Sequence, residues 1–225
     1  MTRARIAAFA ILALATVSAC DRTGAGLGAS TARADPTTTQ ISPGVFPPEK
    51  VDTLLLSLDE VNRTVAPGRA TKFFNQAPIE DKPFSQAQPP TTSCGKALAI
   101  GTVYSVGENW SSFRSSEYDA TQNVYIRLIV AVYPSEQLAE EAFSRIGTGV
   151  RSCATNDEFS LDAVVGNYAQ WHSNIPASET HSLPLGLHNN VTRVRNVLIQ
   201  IESSDPESGA KQASGLIAQV ANKIT

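Results

Sequence analysis

The chain has 225 residues, 42% of them hydrophobic and 17% charged, a balance that builds a buried core and excludes an intrinsically disordered protein. Its formal charge is -3 and becomes -5 once Arg3 and Arg5 are removed. With no cluster of Lys and Arg, the chain lacks the basic stripe that nucleic acid or an anionic lipid surface rewards.

Arg3 and Arg5 precede an apolar run from Ile6 to Val17, too short to span a bilayer as a helix of about 20 residues. Val17-Ser18-Ala19-Cys20 then fits a bacterial lipoprotein box, whereas an ordinary secretory signal prefers an A-x-A-like end. The expectation is a signal peptide over residues 1–19, lipid on Cys20, and attachment to the extracytoplasmic face of the cell membrane. Residues 20–46 are small, polar and rich in Gly and Pro, the composition of a flexible tether. One folded domain is expected over residues 47–225.

The domain opens at Pro47-Pro48, where proline suits a first helical turn. Val51, Leu54, Leu55, Leu58, Val61 and Val65 predict one amphipathic helix ending near Ala66-Pro67-Gly68. A polar, proline-punctuated loop follows to Thr92. Strands are predicted over Ala97–Val106, Trp110–Tyr118 and Gln122–Tyr133, the last with Val124, Ile126, Leu128, Val130 and Val132 on one face. Pro134-Ser135 opens a second helix with Ser135 as N-cap, its stripe closing by Gly147-Thr148-Gly149. Leu161–Ser173, Ser178–Leu183 and Val191–Ser203 predict further strands, and Asp205-Pro206 opens a closing helix through Ala213, Ile217 and Val220. This order implies an α+β domain, an antiparallel sheet flanked by about three helices packed on one face.

Three cysteines are present. With Cys20 lipidated, Cys94 and Cys153 remain in an exported protein, where disulfides persist. Their bridge closes a loop of about 60 residues, worth about 4 kcal/mol on the chain-entropy account. A catalytic thiol needs a basic neighbour, and only Lys96 and Arg151 lie close in sequence.

The chain contains no Gly-rich phosphate loop, no H-E-x-x-H, no G-x-S-x-G and no C-x-x-C. His172, His181 and His188 are not at metal-site spacing, and Asp52, Asp59, Glu140 and Glu141 sit on predicted solvated helix faces. No metal, cofactor or enzymatic activity is expected. Trp110 and Trp171 are either core anchors or the wall of a cleft beside Arg114, Arg127 and Tyr168; these five are the candidate ligand contacts.

Several segments together resemble the PknH-like extracellular domain of mycobacterial lipoproteins and receptor Ser/Thr kinases. They are Leu54-Leu55-Leu56-Ser57-Leu58-Asp59-Glu60-Val61-Asn62, Trp110 with Arg114, Val130-Ala131-Val132-Tyr133-Pro134-Ser135, Cys153, and Arg195-Asn196-Val197-Leu198-Ile199-Gln200-Ile201 followed by Gln212-Ala213. The resemblance implies a curved antiparallel sheet, a cleft for an unidentified ligand, and no established catalysis. Two features depart from it: cysteines for one disulfide where two are typical, and Gln200 where an acidic residue is common. The function expected is a membrane-anchored, non-catalytic binding domain for a small ligand. An adaptor for an envelope protein is the alternative, and a cryptic hydrolase the third.

Overall fold

A computed structural model describes residues 44–65, 72–120, 124–153, 158–175 and 185–224, all within the compact unit Gln40–Thr225. Cys20, residues 20–43 of the expected tether, His181 and the strand expected over Ser178–Leu183 lie outside the described residues, whereas Phe46, placed at the end of the tether, is buried in the core because its ring is apolar and its N–H is held by Asn196.

The architecture is an open sheet of seven antiparallel strands in the order β1-β2-β3-β7-β6-β5-β4. The strands are β1 (Asn75–Gln76), β2 (Ser112–Asp119), β3 (Tyr125–Val132), β4 (Phe159–Val165), β5 (Tyr168–Ile175), β6 (Leu185–Val194) and β7 (Val197–Ser203). Helix α4 (Glu136–Arg151) leaves the centre of the sheet after β3 and leads to the far edge at β4. The meander β4-β5-β6-β7 then returns, so that β7 pairs with β3 and α5 (Gly209–Asn222) follows.

Helices cover both faces of the sheet, not one as expected. On the first face, Ile126, Leu128, Val130, Val132, Val197, Ile199 and Ile201 pack with the N-terminal segment and α5. On the second, Phe113, Ile129, Ala131, Leu198, Val191, Ala169 and Trp171 pack with α2 (Ser93–Leu98), α3 (Val103–Val106) and α4. The reason lies in β3, whose six residues Ile126 to Ala131 include five apolar side chains facing both ways; a strand apolar on two sides needs two cover layers.

Four further expectations change. The first helix is two: a 3-10 helix over Pro48–Leu54 and α1 over Leu58–Val65. Leu54, Leu55 and Leu56 are all buried, which one helical face cannot achieve. Ser57 restarts the chain with a reciprocal cap: Glu60 N–H donates to Ser57 Oγ (3.2 Å) and Ser57 N–H donates to Glu60 Oε2 (2.7 Å). Ala97–Val106 is not a strand but α2 (Ser93–Leu98) and α3 (Val103–Val106), capped by Thr92 and Thr102. Leu161–Ser173 and Val191–Ser203 are not single strands but the β4-β5 hairpin and part of the β6-β7 hairpin, turning at Gly166-Asn167 and Arg195-Asn196. Arg195 holds φ 54° there, and buried Asn196 accepts from Phe46 N–H (2.7 Å) and donates to Tyr133 O (2.7 Å). Finally, Gly147 and Gly149 do not end α4. A Cβ on Gly149 would stand 2.5 Å from Ala97 Cβ and 2.7 Å from Ser93 O, so this glycine is where α2 rests on α4.

Cys94 and Cys153 are joined, with Cα atoms 5.0 Å apart. The bridge ties the exit of α4 to α2, rather than to a first strand.

Candidate functional site

The second face of the sheet carries a row of polar side chains that its apolar surroundings do not predict. Strand pairing sets Glu117 of β2 opposite Arg127 of β3, Arg127 opposite Glu202 of β7, Glu202 opposite Asn189 of β6, and Asn189 opposite Trp171 of β5. Arg127 is the hub. Its Nη2 lies 2.6 Å from Glu117 Oε2 and its Nη1 3.1 Å from Glu202 Oε1. Its guanidinium stacks 5.0 Å from the Phe84 ring centroid and 5.4 Å from that of Tyr125, a cation-π arrangement on two sides. Tyr125 Oη donates to the same Glu202 oxygen (2.9 Å).

Glu202 is buried while Arg127 and Glu117 are partly open, so the row runs from solvent into the interior. Burial raises the Glu202 carboxyl above the ordinary carboxylate range, against the lowering pull of Arg127 and Tyr125. Burial, with the Glu202 charge beside it, also pushes the Tyr125 hydroxyl upward. One cation against two carboxylates makes the row electrically balanced to acidic.

Three buried polar atoms on this face have neither a hydrogen-bond nor an ion-pair partner among the described residues: Trp171 Nε1, Asn189 Oδ1 and Gln200 Nε2. Gln200 lies two residues before Glu202 on β7, and its Oε1 accepts from Gly101 N–H at 2.9 Å. That bond fixes which end of the amide is the oxygen and leaves Nε2 as the donor without a partner among the described residues. A buried polar group left unpaired costs about 1–3 kcal/mol, and natural interiors carry few of them. Here two donors and one acceptor gather on adjacent strands beside an ion-pair network.

The five contacts expected from the sequence do not share one surface. Arg127 and Trp171 belong to this row. Trp110 packs on Phe113 (ring centroids 5.9 Å apart) at the margin of the same face's core. Arg114 and Tyr168 lie on the opposite face. Arg114 Nε pairs with Asp52 Oδ1 at 2.5 Å, and Tyr168 Oη bonds Gln170 and Asn190, each at 2.7 Å. Also on the first face, His172 Nδ1 lies 3.1 Å from Asp162 Oδ1, with His188 stacked at 5.7 Å. No hydroxyl among the described residues bonds the His172 ring, and no group of His, Cys, Asp and Glu among them could hold a metal. Asn189, Gln200 and Glu202 were not singled out as site residues from the sequence. Their signal was present: Leu198, Gln200 and Glu202 alternate with Val197, Ile199 and Ile201 in a strand too apolar to have a solvent face.

Comparison with known proteins places these features in context. Residues 46–223 match the PknH-like extracellular domain family. The crystal structure of the extracellular domain of PknH from Mycobacterium tuberculosis superposes with a TM-score of 0.62 at 14% sequence identity, covering 80% of this chain and 97% of that one. A comparison with curated proteins returns no match.

Proposed function

This chain belongs to the PknH-like extracellular domain family, and from that premise we propose that it is a non-catalytic, lipid-anchored sensor-type domain binding a small neutral polar ligand in the cell envelope. The observation that carries this reading is the set of unpaired polar atoms Trp171 Nε1, Asn189 Oδ1 and Gln200 Nε2 beside Arg127 and Glu202. A ligand offering both donors and acceptors, such as a polyol or an amide, satisfies them and recovers their desolvation cost. Arg127, already paired with two carboxylates, has little to offer an added anion, so the chemistry favours an uncharged guest.

Anchoring rests on Val17-Ser18-Ala19-Cys20 and the apolar run before it. Among the described residues no helix is long and apolar enough to cross a membrane. Cys20→Ala is expected to release the protein from membranes or block its maturation; unchanged lipid labelling overturns the anchor. For the ligand, thermal-shift screening of the full chain against neutral glycans, polyols and amides is the test. Stabilisation by one such class, lost in Trp171→Phe, supports the reading, and no stabilisation by any of them contradicts it.

A further inference from the structure

A recess lies away from the polar row, in the angle between α2-α3 and α4. It has a volume of about 410 Å³, within the range of small-molecule sites. Its apolar lining is Ala97, Ile146 and Gly149, the place where the two helices touch. Polar groups also line it: Lys96 from α2, Arg145 from α4, and the hydroxyls of Ser93, Tyr104, Ser144 and Thr148. Among the described residues no carboxylate lines it, in a chain whose net charge is negative.

Arg145 is placed in an unusual way. Glu141 precedes it by one helical turn, the spacing at which an ion pair ordinarily forms. Instead Glu141 accepts from Gln137 Nε2 (3.0 Å), and Glu140, the next acid back, is 2.6 Å from Arg193. Arg145 turns toward α3, where its Nη2 lies 3.4 Å from Ser105 O. It occupies space beside Gly107 that a Cβ would fill, 2.7 Å from Nη2. Lys96 makes no ion pair among the described residues. Two cations from facing helices, neither in an ion pair among the described residues, therefore border one recess with an apolar floor, while Glu108 and Glu141 line a smaller neighbouring recess with Arg145.

We propose that this recess binds an organic oxyanion, a phosphate or sulfate ester whose charged group is held by Lys96 and Arg145 and whose organic part rests on Ala97 and Ile146. The guanidinium fork matches tetrahedral oxygens, and hydroxyls among Ser93, Tyr104 and Thr148 can donate to the remaining ones. The ester group belongs equally to a free metabolite or to a lipid headgroup, and the experiment separates the two.

The test titrates the full chain with sn-glycerol 3-phosphate, with inorganic phosphate, and with phosphatidylcholine vesicles containing phosphatidylglycerol. The same titrations are run on Lys96→Gln/Arg145→Gln and on Lys72→Gln, an exposed lysine elsewhere. Saturable binding of the soluble ester that weakens about tenfold or more in the double variant, with Lys72→Gln unchanged, is the expected result. Binding to vesicles alone, with the same loss, identifies the ester as a lipid headgroup. No saturable binding to any probe overturns the proposal, as does an equal loss in Lys72→Gln. Inorganic phosphate binding as tightly as the ester removes the role given to the apolar floor. Arg127→Met leaves these titrations unchanged, so failure here is distinct from failure of the polar row.

Discussion

Arg127 Nη1 and Glu202 Oε1 stand 3.1 Å apart across β3 and β7, the one end partly open and the other buried. Removing Arg127 leaves the carboxylate buried without its cation. Arg127→Met is expected to cost about 2–3 kcal/mol, below the usual range for a fully buried pair because the Arg127 side chain is 28% exposed. The sign of its pH dependence follows from Glu202. A carboxyl whose folded value is raised contributes stability fully below its unfolded value of about 4.5, lost as pH rises through the raised value. Taking away Arg127 raises it further, so the deficit of Arg127→Met grows as pH rises above the unfolded value through the raised ones. Urea denaturation at several pH values checks this, and Glu202→Gln should abolish the growth.

Trp171 is fully buried, and its indole N–H has no hydrogen-bond partner among the described residues. Trp171→Phe removes that donor and some ring area. The two effects oppose each other, each about 1 kcal/mol, so the free domain should change in stability by less than about 1 kcal/mol. Thermal unfolding measures it. A loss of several kcal/mol would show that the indole packing, and not a ligand role, explains this residue.

Much of the framework was legible because periodicity was strong. Ile126, Leu128, Val130 and Val132 recur at every second residue, and Ala139, Ala142, Phe143 and Ile146 fall on one stripe of α4, so β3 and α4 emerged where expected. The misreadings have physical causes. Ala97-Leu98-Ala99-Ile100 is a short apolar run, which suits a buried strand or a buried helix equally, and the Thr92 and Thr102 caps decide it. The turn at Arg195-Asn196 lacks glycine, so two strands merged into one. Arg127 and Trp171 are neighbours only through Glu202 and Asn189, a relation set by strand order β3-β7-β6-β5 that no spacing along the chain encodes.

The Cys94–Cys153 bridge and the Gly149 contact hold α2 against α4 together. Cys94→Ser and Cys153→Ser should each destabilise by about 3–4 kcal/mol, and the double variant by little more. Clearly additive losses in chemical denaturation would contradict the pairing. Gly149→Ala, forcing a methyl against Ala97 and Ser93, should cost about 1–3 kcal/mol with the disulfide intact.

Acid should weaken the domain through Asp205 and Glu60. Burial alone would raise Asp205, but hydrogen bonds from Ser208, Glu207 and Gln212 hold it below its ordinary value. The Ser57 N–H bond is the main lowering influence on Glu60. Depressed carboxyls contribute stability above their unfolded values, near 3.8 and 4.5, and lose it as pH falls through the folded ones. Asp205→Asn should therefore flatten the stability profile below about pH 4, and cost about 1 kcal/mol at neutral pH through weaker acceptance from Glu207 N–H and Ser208 N–H in the turn before α5. An unchanged acid slope would contradict this account.

The central claim is that the polar row around Trp171 meets a ligand. The chain has two tryptophans, so Trp110→Phe leaves the Trp171 indole N–H as a single resonance. Its proton chemical shift, followed in the full chain while fractionated neutral small molecules from cell envelope are added, is the most direct measurement. The account predicts a saturable downfield shift with one fraction, absent in Gln200→Leu. An indole resonance that no fraction moves would contradict it.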